Sequence, residues 1–176
     1  MPLNGIDVSQ WQGEIDWKEV KNAGIKFAMI RAGYGKNNID NKFHHNAQRA
    51  VQSGISIGLY WFSYAWNTEM ARKEAQYTAA LARQYKITWS IAYDLEYDTI
   101  EYARKNGVII TKNLATNMAK AFCEEIERQG YIPMIYANLE YLNEYLDRSR
   151  LPYALWYAQY APEASVREKA IWQYTS

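Results

Sequence analysis

The feature that most constrains this fold is a repeated punctuation in which apolar residues at helical spacing are followed by a glycine and then by a short apolar run. Phe43, Ala47, Ala50 and Val51 fall on one helical face, Gly54 follows, and Ile55-Ser56-Ile57-Gly58-Leu59-Tyr60 reads as a strand. The same order recurs at Gly24, between a helix over Trp17 to Ala23 and the run Ile25-Lys26-Phe27-Ala28-Met29-Ile30. It recurs at Gly130, after Leu114, Met118, Phe122 and Ile126 and before Tyr131-Ile132-Pro133-Met134-Ile135-Tyr136. Glycine accepts the left-handed backbone that closes a helix, which explains its place in each repeat. A further helix is predicted from Thr68 to Tyr85, with Met70, Tyr77, Leu81 and Tyr85 on its inner stripe. Strands that alternate with helices argue for a parallel sheet.

Strands are predicted near 5–9, 27–33, 56–64, 89–96, 132–138, 154–160 and 170–175, one fewer than an eight-stranded barrel needs. Only a brief helix around Leu139 to Leu146 interrupts the last three, so the alternation fades toward the C-terminus. The leading expectation is an α/β fold, a closed but irregular (β/α) TIM-like barrel, with an open doubly wound sheet as the alternative. No Gly-x-Gly-x-x-Gly follows the first strand, which argues against dinucleotide binding. The length of 176 residues fits one domain over 1–176.

Within this frame, Asp94-Leu95-Glu96 ends the apolar run Trp89-Ser90-Ile91-Ala92-Tyr93. Alternation puts Ser90, Ala92, Asp94 and Glu96 on one face and Trp89, Ile91, Tyr93 and Leu95 on the other. Both acids then project together at the carboxyl end of a strand, where parallel α/β folds keep their chemistry, above small residues that leave room beneath them. Cleaving a sugar bond requires one acid to protonate the leaving oxygen and one anion to support the oxocarbenium-like transition state. Strand positions i and i+2 have α-carbons about 6.5–7 Å apart, and rotamers can carry the carboxyls across the ranges used by retaining and inverting enzymes, so spacing leaves the stereochemistry open. A substrate acetamido group attacking its own anomeric carbon is a third route. Nearby negative charge and desolvation would raise the pKa of one acid while its neighbour stays ionised.

Other features exclude function classes. Lys plus Arg number 20 against 19 for Asp plus Glu, the charges are interspersed, and nothing points to nucleic acid. No stretch approaches the roughly 20 apolar residues of a membrane span, and Met1-Pro2-Leu3-Asn4 lacks the basic and apolar regions of a signal peptide. Cys123 is the only cysteine and sits in a helical pattern, which predicts an inert small hydrophobe and no intrachain disulfide. His44 and His45 are the only histidines, and adjacent helix positions face apart, so no metal site and no cofactor are predicted. Sixteen Tyr and seven Trp suit the flat faces of carbohydrates, and equally suit core positions with a satisfied polar tip.

Four segments carry a resemblance: Gly5-Ile6-Asp7-Val8-Ser9-Gln10-Trp11-Gln12-Gly13, Ile30-Arg31-Ala32-Gly33-Tyr34-Gly35, Asp94-Leu95-Glu96 and Ile171-Trp172-Gln173-Tyr174. In this order and spacing the chain resembles the family 25 glycoside hydrolases, Chalaropsis-type lysozymes found among phage and bacterial endolysin catalytic domains. The resemblance implies an incomplete barrel of about five helices and seven to eight strands, acting on the β-1,4 bond between N-acetylmuramic acid and N-acetylglucosamine of bacterial peptidoglycan. The lack of a signal-peptide pattern at the start predicts synthesis in the cytoplasm and release by lysis or another export route. It puts Glu96 on the proton donor, Asp94 on its partner, and Asp7 on the aspartate of the first strand. Tyr60, Phe62 and Tyr136 fall on cleft-lining aromatic positions. Arg31 either holds a substrate carboxylate or pairs with an acid of the site, while Trp61, Tyr64 and Trp156 are expected in packing roles. The family pattern continues past Trp172-Gln173-Tyr174 into a glycine-rich turn and a strand ending in another acid, whereas this sequence stops at Ser176. A shortened end or a different closure of the barrel are the two expectations. A glycan-binding module without catalysis, and a hydrolase of another N-acetylated polymer, stand as alternatives.

Overall fold

In the computed structural model, which describes residues 2–175, one eight-stranded sheet curls around a central space. Its strands are β1 (Gly5–Val8), β2 (Phe27–Tyr34), β3 (Asn38–Ile39), β4 (Ser56–Phe62), β5 (Ile87–Asp94), β6 (Pro133–Asn138), β7 (Ala154–Ala158) and β8 (Ile171–Gln173). The parallel order is β1-β2-β4-β5-β6-β7-β8, and the two-residue β3 pairs antiparallel with the end of β2. Six helices cover the outside: α1 (Trp17–Asn22), α2 (Phe43–Gln52), α3 (Thr68–Ala82), α4 (Tyr97–Lys105), α5 (Lys112–Arg128) and α6 (Leu139–Glu144).

The punctuation read from the sequence is physically realised. Gly24, Gly54 and Gly130 take φ values of 86°, 71° and 85°, each just after a helix and just before the next strand. The starts are fixed as firmly: Asp16, Asn67, Thr111 and Asn138 each accept a backbone N–H in the first turn of α1, α3, α5 and α6. No helix among the described residues is long and apolar enough to cross a membrane.

Alternation along the strands builds two cores instead of one. Ile30, Ile57, Leu59, Trp61, Ile91, Tyr93, Ile135 and Tyr157 point outward and are sealed by Phe43, Ala47, Met118, Phe122 and Ile126 of the helices. The intervening residues Phe27, Met29, Ala92, Met134, Trp156 and Ile171 point inward, with Tyr60, Trp89 and Tyr136 packed on them. This is the irregular (β/α) architecture expected, with differences that matter for the site.

The hydrogen-bonded ladder does not close. Among the described residues β1 and β8 are the two edges, and their link is a side-chain bond in which Gln173 Nε2 donates to Asp7 Oδ2 at 2.9 Å. The strand stops at Asp94, two residues short of the predicted end, and Glu96 becomes the residue that precedes helix α4. Trp89 also turns inward, against expectation, and stacks on Phe27 with ring centroids 4.2 Å apart. The cause is an irregularity in which Ile57 and Leu59 of β4 pair with Ile87 and Ile91 of β5, so two extra residues of β5 bulge out of register and re-aim the indole.

That bulge requires a bare backbone opposite it. A Cβ on Gly58 would lie 2.6 Å from Met29 Sδ, 2.7 Å from the Ser90 carbonyl oxygen and 3.0 Å from Trp89 Cβ. Gly58→Ala is therefore expected to lower stability by about 1–3 kcal/mol, measured by denaturant unfolding, and a neutral result would show that the bulge yields.

Candidate active site

At the carboxyl ends of the strands, register brings Phe62 beside Asp94, Asp94 beside Tyr136, and Tyr136 beside Trp156. One step lower, Ala92 lies between Tyr60 and Met134, so a small side chain occupies the space under the acids. Asp94 is buried, with 3% of its surface exposed, and its Oδ1 has no hydrogen-bond partner. Leu95 turns to the helix side, and Glu96 continues in extended conformation at φ −132° before α4 begins. The Glu96 backbone N–H donates to Thr99 Oγ1 at 3.1 Å, which fixes where its half-buried carboxyl emerges.

All seven residues singled out in the sequence, Asp7, Arg31, Tyr60, Phe62, Asp94, Glu96 and Tyr136, line one cavity of about 1130 Å³. Asp7 reaches it from β1, held across the seam by Gln173. The Gln173 Oε1 in turn accepts from Tyr136 Oη at 3.0 Å and from Tyr160 Oη at 3.5 Å. Arg31 faces the cavity, while its Nε donates to the buried Asp40 Oδ2 at 2.7 Å. Asp40 also accepts the backbone N–H groups of Gln10 and Lys42, so this counter-ion is held by the loops around it.

The electrostatics follow from burial. Removal from water pushes the carboxyls of Asp7, Asp94 and Glu96 all above their ordinary values. Beyond burial, the neighbouring Glu96 charge raises Asp94, whereas interaction with Asp94 lowers Glu96 in part. The sequence reading put the raised pKa on Glu96 alone. In the folded protein both carboxyls are raised, Asp94, the deeper of the two, further. The Arg31 guanidinium works in the opposite direction on Asp94, keeping its anion within reach. Burial also raises the phenols of Tyr60 and Tyr136, which therefore remain neutral hydrogen-bonding groups. A pair that shares one proton presents an acid and an anion to the same small volume, and the surrounding rings supply flat apolar walls.

Gln173, Asp40, Trp156, Trp11 and Tyr160 were not among the sequence candidates. Trp156 was expected in packing, and it does pack, with its ring 5.6 Å from Tyr60 and 4.9 Å from Tyr136, yet it also lines the cavity. Gln173 carried a signal in the Trp-Gln-Tyr segment, because alternation places it on the inner face of β8. Asp40 carried none, since only the folded loops bring it to Arg31. Trp61 is buried on the helix side as expected. Away from the cavity, a ring nitrogen of His44 lies 2.8 Å from Tyr85 Oη, and His45 lies 3.3 Å from Glu14.

The fold and the cavity together define a barrel-derived α/β protein with an acid cluster at the carboxyl ends of its strands. The chain belongs to the glycosyl hydrolases family 25, whose family model matches residues 6–176. Over 78 residues, 44% of this chain and 26% of the relative, it is 42% identical to Lysozyme M1 of Streptomyces globisporus. A solved family 25 glycosyl hydrolase from Bacillus anthracis superposes with a TM-score of 0.80 at 26% identity, covering 99% of this chain and 79% of that one. The modular autolysin LytC of Streptococcus pneumoniae, solved with a synthetic peptidoglycan ligand, superposes with a TM-score of 0.80 at 23% identity, covering 98% of this chain and 42% of that one. The matches span from 26% to 61% of the length of the curated relatives.

The raised pKa of Asp94 sets a stability prediction. A group that binds its proton more tightly when folded favours the folded state fully below the unfolded pKa, and that contribution is lost as pH rises through the folded pKa. Asp94→Asn, a neutral isostere, is expected to show a shallower fall in Tm above about pH 4 than the unsubstituted protein and to be at least as stable at neutral pH. Calorimetry across pH checks this, and parallel Tm curves for the two proteins would contradict a raised Asp94 pKa.

Proposed function

We propose that the protein is a peptidoglycan hydrolase, an N-acetylmuramidase that acts on the bacterial cell wall and cuts the β-1,4 bond between N-acetylmuramic acid and N-acetylglucosamine. The observation that carries this reading is the placement of buried Asp94 and half-buried Glu96 in a cavity walled by Tyr60, Phe62, Tyr136 and Trp156. Membership of the glycosyl hydrolases family 25 and the identity to Lysozyme M1 support the reaction class, and the LytC complex supports the substrate.

Each residue then has a role. Glu96 is the acid: it takes over the proton held by Asp94 and delivers it to the leaving glycosidic oxygen, for which its greater accessibility suits it. Proton transfer leaves Asp94 as the anion, stabilised by Arg31, opposite the positive charge that develops on the sugar ring. The substrate's own acetamido oxygen attacks the anomeric carbon, Asp94 steadies the resulting ring, and water opens it with Glu96 now acting as base. Asp7, held by Gln173, adds negative charge on the far side of the cavity, while Tyr60, Phe62 and Tyr136 grip the sugar faces and Arg31 orients a substrate acid.

Incubation with purified bacterial walls is expected to release new reducing ends, whereas release of free amines would mark an amidase and cleavage of chitin a different N-acetylated substrate. Glu96→Gln is expected to lower turnover by about a hundredfold or more with Tm unchanged within a few degrees, and unchanged turnover would overturn its assignment. The released sugar is expected to keep its anomeric configuration, and an inverted product would remove the acetamido step.

A further inference from the structure

Behind the cavity lies a buried acid that the reaction does not use. Glu74 of α3 is 3% exposed, and no cation forms an ion pair with it among the described residues. Its Oε2 accepts from Ser63 Oγ at 2.6 Å and its Oε1 from the Tyr64 backbone N–H at 2.9 Å. Ser63 Oγ is also 3.2 Å from the buried phenol of Tyr93, the one titratable group of β5 that faces this carboxyl. Burial pushes the Glu74 carboxyl up to about 8, so at neutral pH it is an uncharged partner.

Ser63 is the junction between this acid and the site. Its backbone N–H donates to the Asp94 carbonyl oxygen at 2.8 Å, one step past the last paired residues of β4 and β5. Its own carbonyl oxygen accepts from Thr99 Oγ1 at 2.6 Å, and the same Thr99 oxygen accepts the Glu96 backbone N–H at 3.1 Å. Three fully buried groups, Ser63, Thr99 and Tyr93, together with Glu74 therefore grip the backbone on both sides of Leu95.

We propose that Glu74 and Thr99 are positioning residues, which through Ser63 set the separation and orientation of Asp94 and Glu96. The argument is geometric. Asp94 ends a strand and Glu96 precedes a helix, so the turn between them belongs to neither repeating hydrogen-bond pattern and takes its shape from the residues it is tied to. Glu74 locks Ser63 from below, Thr99 bridges Ser63 to Glu96 from the side, and loss of either tie lets the two carboxyls move apart. Misplacement of a catalytic group by about 1 Å can cost a hundredfold in rate, while binding of the sugar by the aromatic walls is untouched.

This inference rests on the muramidase reading for its kinetic test and on the free protein for its second. Thr99→Val removes only the hydroxyl bridge at near-constant volume, Thr99→Ser restores it, Glu74→Leu removes the lower tie, and Glu74→Gln keeps a neutral hydrogen-bonding partner. With rates normalised to folded protein, Thr99→Val and Glu74→Leu are expected to lower kcat about tenfold or more with KM nearly constant and to displace a limb of the pH–rate profile, whereas Thr99→Ser and Glu74→Gln stay within a few-fold of the unsubstituted enzyme. Carboxyl 13C NMR titration of the free protein is expected to show altered coupling between Asp94 and Glu96 in Thr99→Val, even if Glu74→Leu fails to fold. An unsubstituted protein inert on walls would refute the muramidase reading and leave the titration to decide this one. Folded Thr99→Val with unchanged kcat, pH profile and carboxyl titration would overturn the proposal.

Discussion

Every inward and outward assignment in this molecule depends on the two-residue period of its parallel strands. Helices seal the outer face of the curled sheet, so the outward residues can be wholly apolar, and the inner face is left to face itself across a space. Apolar residues of that inner face, among them Phe27, Met29, Ala92 and Met134, pack into a core of their own. The same alternation delivers Asp7, Arg31, Asp94 and Gln173 to the cavity. The site is thus a core layer whose apolar members have been exchanged for polar ones, at the level where the strands give way to loops.

That exchange is energetically costly. Three carboxyls lie where water is scarce, and one of the Asp94 oxygens has no partner. Burial holds the Asp94 carboxyl above its ordinary value, while Arg31 is kept close by but tethered at its Nε to Asp40. An arginine bonded directly to Asp94 would drain the proton from the pair and remove the acid. Its partial diversion to Asp40 leaves the field of a cation near Asp94 without that loss.

How much of this could be read from the sequence follows from the range of each interaction. The helix, glycine and strand rhythm is local, so Gly24, Gly54 and Gly130 and the seven parallel strands were legible, as was the inward face of Asp94. Helix α4 was not, because Tyr97–Lys105 follows the acid pair directly and the start signal at Glu96 was read as the end of a strand. Trp89 was assigned to the wrong face, since a bulge depends on the neighbouring strand and on Gly58 across from it. Asp40 as the partner of Arg31 and Gln173 as the partner of Asp7 needed contacts between segments far apart in the chain. The likeness of four short segments to a known family supplied site positions that periodicity alone could not separate, notably which acid of the pair is which.

The seam between β1 and β8 has a consequence for how the molecule comes into being. Asp7 and Gln173 are 166 residues apart, and their side-chain bond is the bridge between the edges. Closing so long a loop is entropically the last contact the chain is repaid for, so strands β1 to β7 can be assembled while Asp7 still lacks its donor. A ribosome-bound or clipped chain short of Gln173 would keep most of the scaffold yet hold this acid unrestrained. Completion of the cavity is thereby tied to the arrival of β8.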